Sequence, residues 1–234
     1  VDNEQIQVLE VEFFELSAKF DRFATQFFAG KIDVATFERS LISNLKEATI
    51  RAYIVGANGT ATAKHFGSSG LHLRQKYADV HRLVTKISNG ELSEAQIRDR
   101  LRRQARSIQT AASRSEKITQ VLDGFDLAHR SLDPQANHCP SCLTHATEGF
   151  VPVAEVVPRG INCECGGYCR CRITYKKSGN PLNPLTLADT VIEEDKKKSM
   201  EKDELLEKIE QLLKAKRRGR SPTKKGDKLG FGTN

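Results

Sequence analysis

All six cysteines of this chain fall between Cys139 and Cys171, within HCPSCLTHATEGFVPVAEVVPRGINCECGGYCRC. A polar, loop-rich stretch that gathers every thiol is a metal knot, a disulfide knot or a redox centre. The pattern is Cys139-x-x-Cys142, about twenty residues, then Cys163-x-Cys165-x-x-x-Cys169-x-Cys171. A Cys-x-x-Cys turn points two thiolates at one centre, and a second pair from a neighbouring loop or strand completes a tetrahedron. Extended Cys-x-Cys pairs place both sulfurs on one face and serve the same end. Structural Zn2+ is the natural occupant, because it staples a segment too short and polar to bury its own core.

The competing chemistries fit less well. A thioredoxin-like site needs its Cys-x-x-Cys at a helix start after a strand, whereas CPSC follows a polar loop and leads into a stretch without clear helical periodicity. Iron–sulfur ligation accepts four thiolates, yet no electron-transfer partner is suggested. Disulfides need an oxidising setting. Catalytic zinc needs an open position and a base, and Glu148 and Glu164 lack the fixed helical spacing of a zinc protease. His138 and His145 read as bystanders where thiols are plentiful. The candidate ligands are Cys139 and Cys142 on one side and two of Cys165, Cys169 and Cys171 on the other. Cys163 is the least favoured.

The 234 residues suffice for one large domain or two small ones. With 38% hydrophobic and 29% charged residues and no Trp, the core is adequate rather than generous. No apolar run is long enough to cross a bilayer, and the polar opening VDNEQIQVLE is unlike a secretory leader. These features predict a soluble protein made in a reducing cytoplasm, where disulfides are disfavoured. The net charge of +7 suits an acidic partner such as nucleic acid. Much of the excess lies in IRDRLRRQAR (97–106) and KAKRRGRSPTKK (214–225). The first reads as a solvated face; for the second, a solvated tail and a binding tail stand level.

Periodicity predicts a helical body over 1–130. Ile6, Leu9, Phe13, Leu16, Phe20, Phe23 and Phe27 line one face of a helix over 4–29, with Phe14 and Phe28 widening the stripe. Gly30 ends it. A second helix opens at the cap Asp33, carries Phe37, Leu41, Leu45 and Ala48, and runs to about Val55. GANGTATAKHFGSSG (56–70) reads as loop, and a third helix covers 71–88. FFAGKIDVATFERSL (27–41) and ISNGELSEAQIRDRL (87–101) share one grammar of glycine, cap and apolar residues, with a Ser93–Gln96 capping box in the second. A helix from 93 to 129, bent near Gly124, completes antiparallel pairs.

After Pro134 the Val, Ile, Thr and Tyr of 150–160 and 169–175 predict short strands. Alternation in CRCRITY sets Cys169, Cys171, Ile173 and Tyr175 on one face. The fold class is therefore mainly α (α+β). A helical body (1–130) leads to a Cys-rich zinc module (131–176), a linker (177–198), a charged helix (199–218) and a basic flexible tail (219–234).

Three of these segments together resemble the phage head morphogenesis proteins, the minor head proteins similar to the F protein of phage Mu. Arg114-Ser-Glu116 stands for their helical Arg-x-Glu element, Cys139-Pro-Ser-Cys142 for their Cys-x-x-Cys, and Cys169-Arg-Cys171 for the Cys-Arg-Cys that enters a strand. The likeness covers about 90–176 well and the upstream helices more loosely. Where many relatives carry a histidine, this chain has Gly166, and the neighbouring Cys165 replaces that ligand. The resemblance implies a non-enzymatic minor capsid protein of a tailed bacteriophage, made in the host cytoplasm and built into the virion near the portal or head–tail interface. Implied partners are the portal or major capsid protein, with oligomers in the virion, no membrane, and packaged DNA touched by the basic tail. The alternative, drawn from the tail and from Arg170 and Arg172, is a zinc-dependent nucleic-acid-binding protein in packaging or regulation.

Overall fold

The computed structural model describes residues 3–161, 163–165, 168–179, 183–197, 200, 204 and 208. The charged helix predicted over 199–218 and the tail over 219–234 lie outside these residues, the three isolated positions apart. The chain divides into two compact units, Val1–Glu194 and Asp195–Asn234, and the first carries the features below.

Five helices build the body: α1 Asn3–Phe28, α2 Val34–Gly56, α3 Ala63–Ser88, α4 Glu94–Arg106 and α5 Ile108–Leu122. On α1 the residues that become fully buried are Leu9, Phe13, Leu16, Phe20 and Ala24. Phe23 and Phe27 pack at the edge of that core. Phe14, expected to widen the stripe, instead stands 65% exposed and touches only the ring of Phe13 among aromatic neighbours described. It sits one position beyond the stripe, so the helical twist turns it outward. Phe37, Leu41 and Leu45 of α2 meet the α1 stripe, and Ile97, Leu101 and Ala105 of α4 close the same core.

The shared grammar of 27–41 and 87–101 has a structural meaning. Gly30 and Gly90 both adopt φ of +66°. In each case the glycine amide donates to the carbonyl three residues back and the next amide to the carbonyl five back, as Gly30→Phe27 with Lys31→Gln26, and Gly90→Ile87 with Glu91→Lys86. That pairing is the Schellman stop, which needs a left-handed residue. Each stop is followed three residues later by a cap: Asp33 accepts from the Thr36 amide at 2.7 Å, and Ser93 with Gln96 forms a reciprocal box. The motif is thus a helix-hairpin corner used twice.

Three expectations change. The Gly/Ser-rich stretch 56–70 is helical from Ala63, because His65 Nδ1 accepts from the Thr62 amide and so caps the turn. The small residues are there for close packing: Ser68 and Ser69 are buried, and Ser68 meets the Tyr53 hydroxyl at 3.0 Å. The single helix predicted over 93–129 is two helices joined at Ser107, whose hydroxyl donates to the Gln104 carbonyl. Its last residues leave the helix altogether. Beyond the Gly124 stop, Leu127–Ser131 is strand β1. Within the predicted linker, residues 184–194 form a helix, α7. Asn183 accepts from the Leu185 amide and Pro184 takes the first helical position, where a missing N–H costs nothing.

Strand β1 is central in a three-stranded antiparallel sheet ordered β2-β1-β3, with β2 Val151–Pro152 and β3 Arg172–Lys176. Ala128 faces Val151 and Tyr175, and Arg130 faces Ile173. A second core gathers Ile118 and Val121 of α5, Ala128, Val153, Val156, Ile173, and Ala188 and Val191 of α7. Helix α5 is therefore a spine shared by the body and the sheet. Short α6, Pro140–Thr147, lies between β1 and β2 in sequence.

Helices α2 and α5 approach closely at Gly56, where an added Cβ would lie 2.2 Å from the Ala112 carbonyl oxygen. Backbone cannot yield as a flexible side chain does. Gly56→Ala is expected to cost about 1–3 kcal/mol as overpacking, read as a lower thermal midpoint; an unchanged midpoint would refute this close approach. Among the described residues, no helix is long and apolar enough to cross a membrane.

Candidate metal centre

Cys139 is the N-cap of α6, in extended conformation, with Pro140 behind it. Its carbonyl accepts from the amides of Cys142 and Leu143, so both thiols of CPSC stand on the first turn. The Cys-x-x-Cys therefore does sit at a helix start, contrary to the sequence reading. The helix is only eight residues long, too short for its periodicity to show. Cys169 and Cys171 approach from the other side on the run into β3, and they alternate inward as expected, with Arg170 and Arg172 exposed. Cys163 and Cys165 come from the turn between Ile161 and Tyr168.

All six are free thiols. Cys165 Sγ lies 3.3 Å from both Cys139 and Cys142, Cys142 Sγ lies 3.7 Å from Cys169, and Cys163 lies 3.7 Å from Cys165. Zinc–sulfur bonds of about 2.3 Å at tetrahedral angles set sulfurs about 3.8 Å apart, so the cluster is already near ligand spacing. Two groups can each hold a metal ion: Cys139, Cys142, Cys163 and Cys165, and Cys142, Cys169 and Cys171. The structure brings together every predicted ligand, and it adds Cys163, the one set aside.

Two further residues also converge, His138, which the sequence offered only as a weak candidate ligand, and Arg130, which it did not mark. His138 Nε2 donates to the Asp133 carbonyl at 2.7 Å, which leaves Nδ1 as the bare nitrogen, 3.7 Å from Cys171 Sγ. Arg130 of β1 is 1% exposed, donates to the carbonyls of Val157 and Pro158, and places Nη1 3.9 Å from Cys169 Sγ. Nothing in the local sequence marks Arg130, since alternation within a strand missed as a strand was invisible. His145 pairs with Glu148 instead.

Without a cation four of the six thiols resist ionisation. Burial pushes the thiols of Cys142 and Cys165 up to about 12 and that of Cys171 up to about 11. Cys163 is pushed up by its hydrogen bond to Cys169 and then by burial. Cys169 alone is drawn far down, to about 4, chiefly by the Cys163 hydrogen bond, then by the Cys171 amide and the Arg130 charge against the pull of burial. A bound cation reverses this balance, because coordination ionises thiols outright. The cluster could thus hold a metal ion.

The Arg114-Ser-Glu116 element lies on α5, with all three residues buried. Burial first, then the Arg114 charge, holds His72 well below its ordinary value. The basic block 97–106 is largely ion-paired: Arg98 with Glu94 and Asp21, Arg103 with Asp99, and Arg106 with Glu10.

Compared with known proteins, the chain matches no family model, no curated protein and no solved structure.

Proposed function

We propose that this chain is a structural minor head protein of a tailed bacteriophage, acting in head assembly near the portal or head–tail interface, with zinc as the ion in its thiol cluster. One observation carries the reading. The Cys139–Cys142 turn and the Cys169–Cys171 run into β3 converge on one buried cluster, and the sheet beside it packs on α5, the helix that bears Arg114-Ser-Glu116. These are the three elements on which the resemblance rests. Zinc follows from the donor set, since thiolates with imidazole suit a tetrahedral ion without redox chemistry.

In this reading the helical body docks on the portal or major capsid protein, and Val8, Val11 and Phe14, exposed along α1, supply apolar ground for it. The metal module fixes the path of the chain that follows, and the basic tail over 219–234 reaches packaged DNA or a neighbouring subunit. The nucleic-acid-binding alternative draws less support, because among the described cations Arg170 already pairs with Asp133, as the 97–106 block pairs with its own carboxylates. Purified particles are expected to contain this chain at low copy number together with zinc, measured by quantitative mass spectrometry and elemental analysis. Particles that lack the chain would overturn the assignment.

A further inference from the structure

We infer that the cysteine cluster is a two-metal centre in which the Cys142 thiolate bridges two zinc ions. Cys139, Cys142, Cys163 and Cys165 hold the first; Cys142, Cys169, Cys171 and His138 Nδ1 hold the second. The inference rests on the reading that the cluster holds zinc, and it specifies how many ions and by which ligands.

Donor number is the first ground. Two tetrahedra that share one corner have seven corners, and the site offers six sulfurs and one imidazole nitrogen. A single tetrahedral ion would leave three of these donors idle in the same interior. The geometric groups agree: each is mutually within 4.8 Å, and Cys142 is the one residue common to both. Cys142 is also 0% exposed and lies between the two sets, 3.3 Å from Cys165 and 3.7 Å from Cys169.

His138 is the second ground. A metal-bound histidine donates its remote N–H to a carbonyl or carboxylate, which fixes the tautomer and aims the other nitrogen. His138 does this through Asp133, and its bare Nδ1 stands 3.7 Å from Cys171 Sγ. Nitrogen and sulfur on one tetrahedral zinc lie about 3.6 Å apart. The imidazole stands beside Cys171 but is not within 4.8 Å of all three thiols, so a small turn of its ring toward Cys142 and Cys169 on metal binding would make it the fourth ligand.

Charge is the third. Six thiolates around two divalent ions leave a net negative centre. Arg130 is the buried cation beside it, and a metal-bound thiolate at Cys169 gives that guanidinium a negative partner in the interior.

The test is metal stoichiometry on the full chain, purified under reducing conditions from zinc-supplemented cells, with protein quantified by amino-acid analysis. Two zinc ions per chain are expected. One per chain would overturn the two-metal centre and leave the zinc clamp standing, and none would overturn both. His138→Ala and Cys171→Ser are each expected to halve the zinc content; two ions retained in the milder His138→Ala variant would overturn the second ligand set. In the cadmium-113-substituted protein, two resonances split by mutual coupling are expected through the shared sulfur, and two unsplit resonances would overturn the bridge.

Discussion

If the cluster holds zinc as proposed, removing it by chelation or by the double change Cys139→Ser with Cys142→Ser is expected to release residues 132–150 and 163–171 while α1–α5 stay folded. Ordering a loop costs about 1–2 kcal/mol of backbone entropy per residue, and outside the 151–161 turn, whose Val153, Ala154 and Val156 pack with Ile118 and Val121 of α5, these segments have little to set against it. Their own core is Cys142, Cys169 and Cys171, with Leu132 and the remaining thiols packed around them. Structural zinc supplies about 10–16 kcal/mol of apparent binding free energy in small thiol-rich modules, the scale needed to hold such a segment. The body has its own support in Phe13, Phe20, Phe37, Leu41, Leu45 and Leu101, none of which touches the metal cluster's interior. Far-UV circular dichroism should therefore keep most of its helical signal. Limited proteolysis should open new cleavage sites within 132–150 and 163–171. The same release is expected on acidification, since protons compete with metal for thiolates, so the holding effect is present at neutral pH and lost as pH falls. An unchanged protease pattern after complete chelation would refute it.

How much of this was legible in the sequence follows from what each signal depends on. The helices with long apolar stripes were plain, because Leu9, Phe13, Leu16 and Phe20 obey a period that survives any context. The helix corners were plain as grammar, because Gly30 with Asp33 and Gly90 with Ser93 solve a local backbone problem with local residues. Composition misled where smallness served packing rather than flexibility. Gly67, Ser68, Ser69 and Gly70 looked like loop yet lie within α3, where His65 bridges from the Thr62 amide to Thr119 of α5. Asn183-Pro184 looked like linker yet starts a helix. Strand β1 was hidden because LAHRS alternates only once it is centred between β2 and β3. At the site, the thiols were visible through spacing, since Cys-x-x-Cys and Cys-x-Cys carry their geometry locally. Which thiols meet is a tertiary fact. Hence Cys163 was the least favoured thiol in sequence and His138 a weak candidate, and the fold brings both to the cluster.

Lys117→Ala is expected to be the most damaging single change outside the cysteines. Lys117 lies on α5 and is 0% exposed. Its ammonium donates to the carbonyls of Val156 at 2.9 Å and Ala154 at 3.2 Å. Those carbonyls belong to the turn after β2, which leads through Pro158 toward Cys163, so one side chain ties the helical spine to the chain that delivers Cys163 and Cys165. Alanine removes the donor and leaves two carbonyls without it. Each unsatisfied group costs about 1–3 kcal/mol, and breaking a buried charged contact typically costs about 3–5 kcal/mol in all. At about 2–4 °C per kcal/mol for a chain of this size, the midpoint should fall by about 6–20 °C. Lys117→Met separates the causes, because it keeps most of the volume but neither the charge nor the donor. If the cavity dominated, methionine would restore stability; if the hydrogen bonds dominate, as the paired carbonyls require, methionine should remain well below the parent. If the cluster holds zinc as proposed, its retention should also weaken in both variants, since the turn that leads toward Cys163 and Cys165 would lose two of its bonds to α5. A Lys117→Ala protein that melts with the parent would show that the turn is held without it, by the Arg130 bonds to Val157 and Pro158, the Arg159 amide bond to Ser113 and the apolar contacts with Ile118 and Val121.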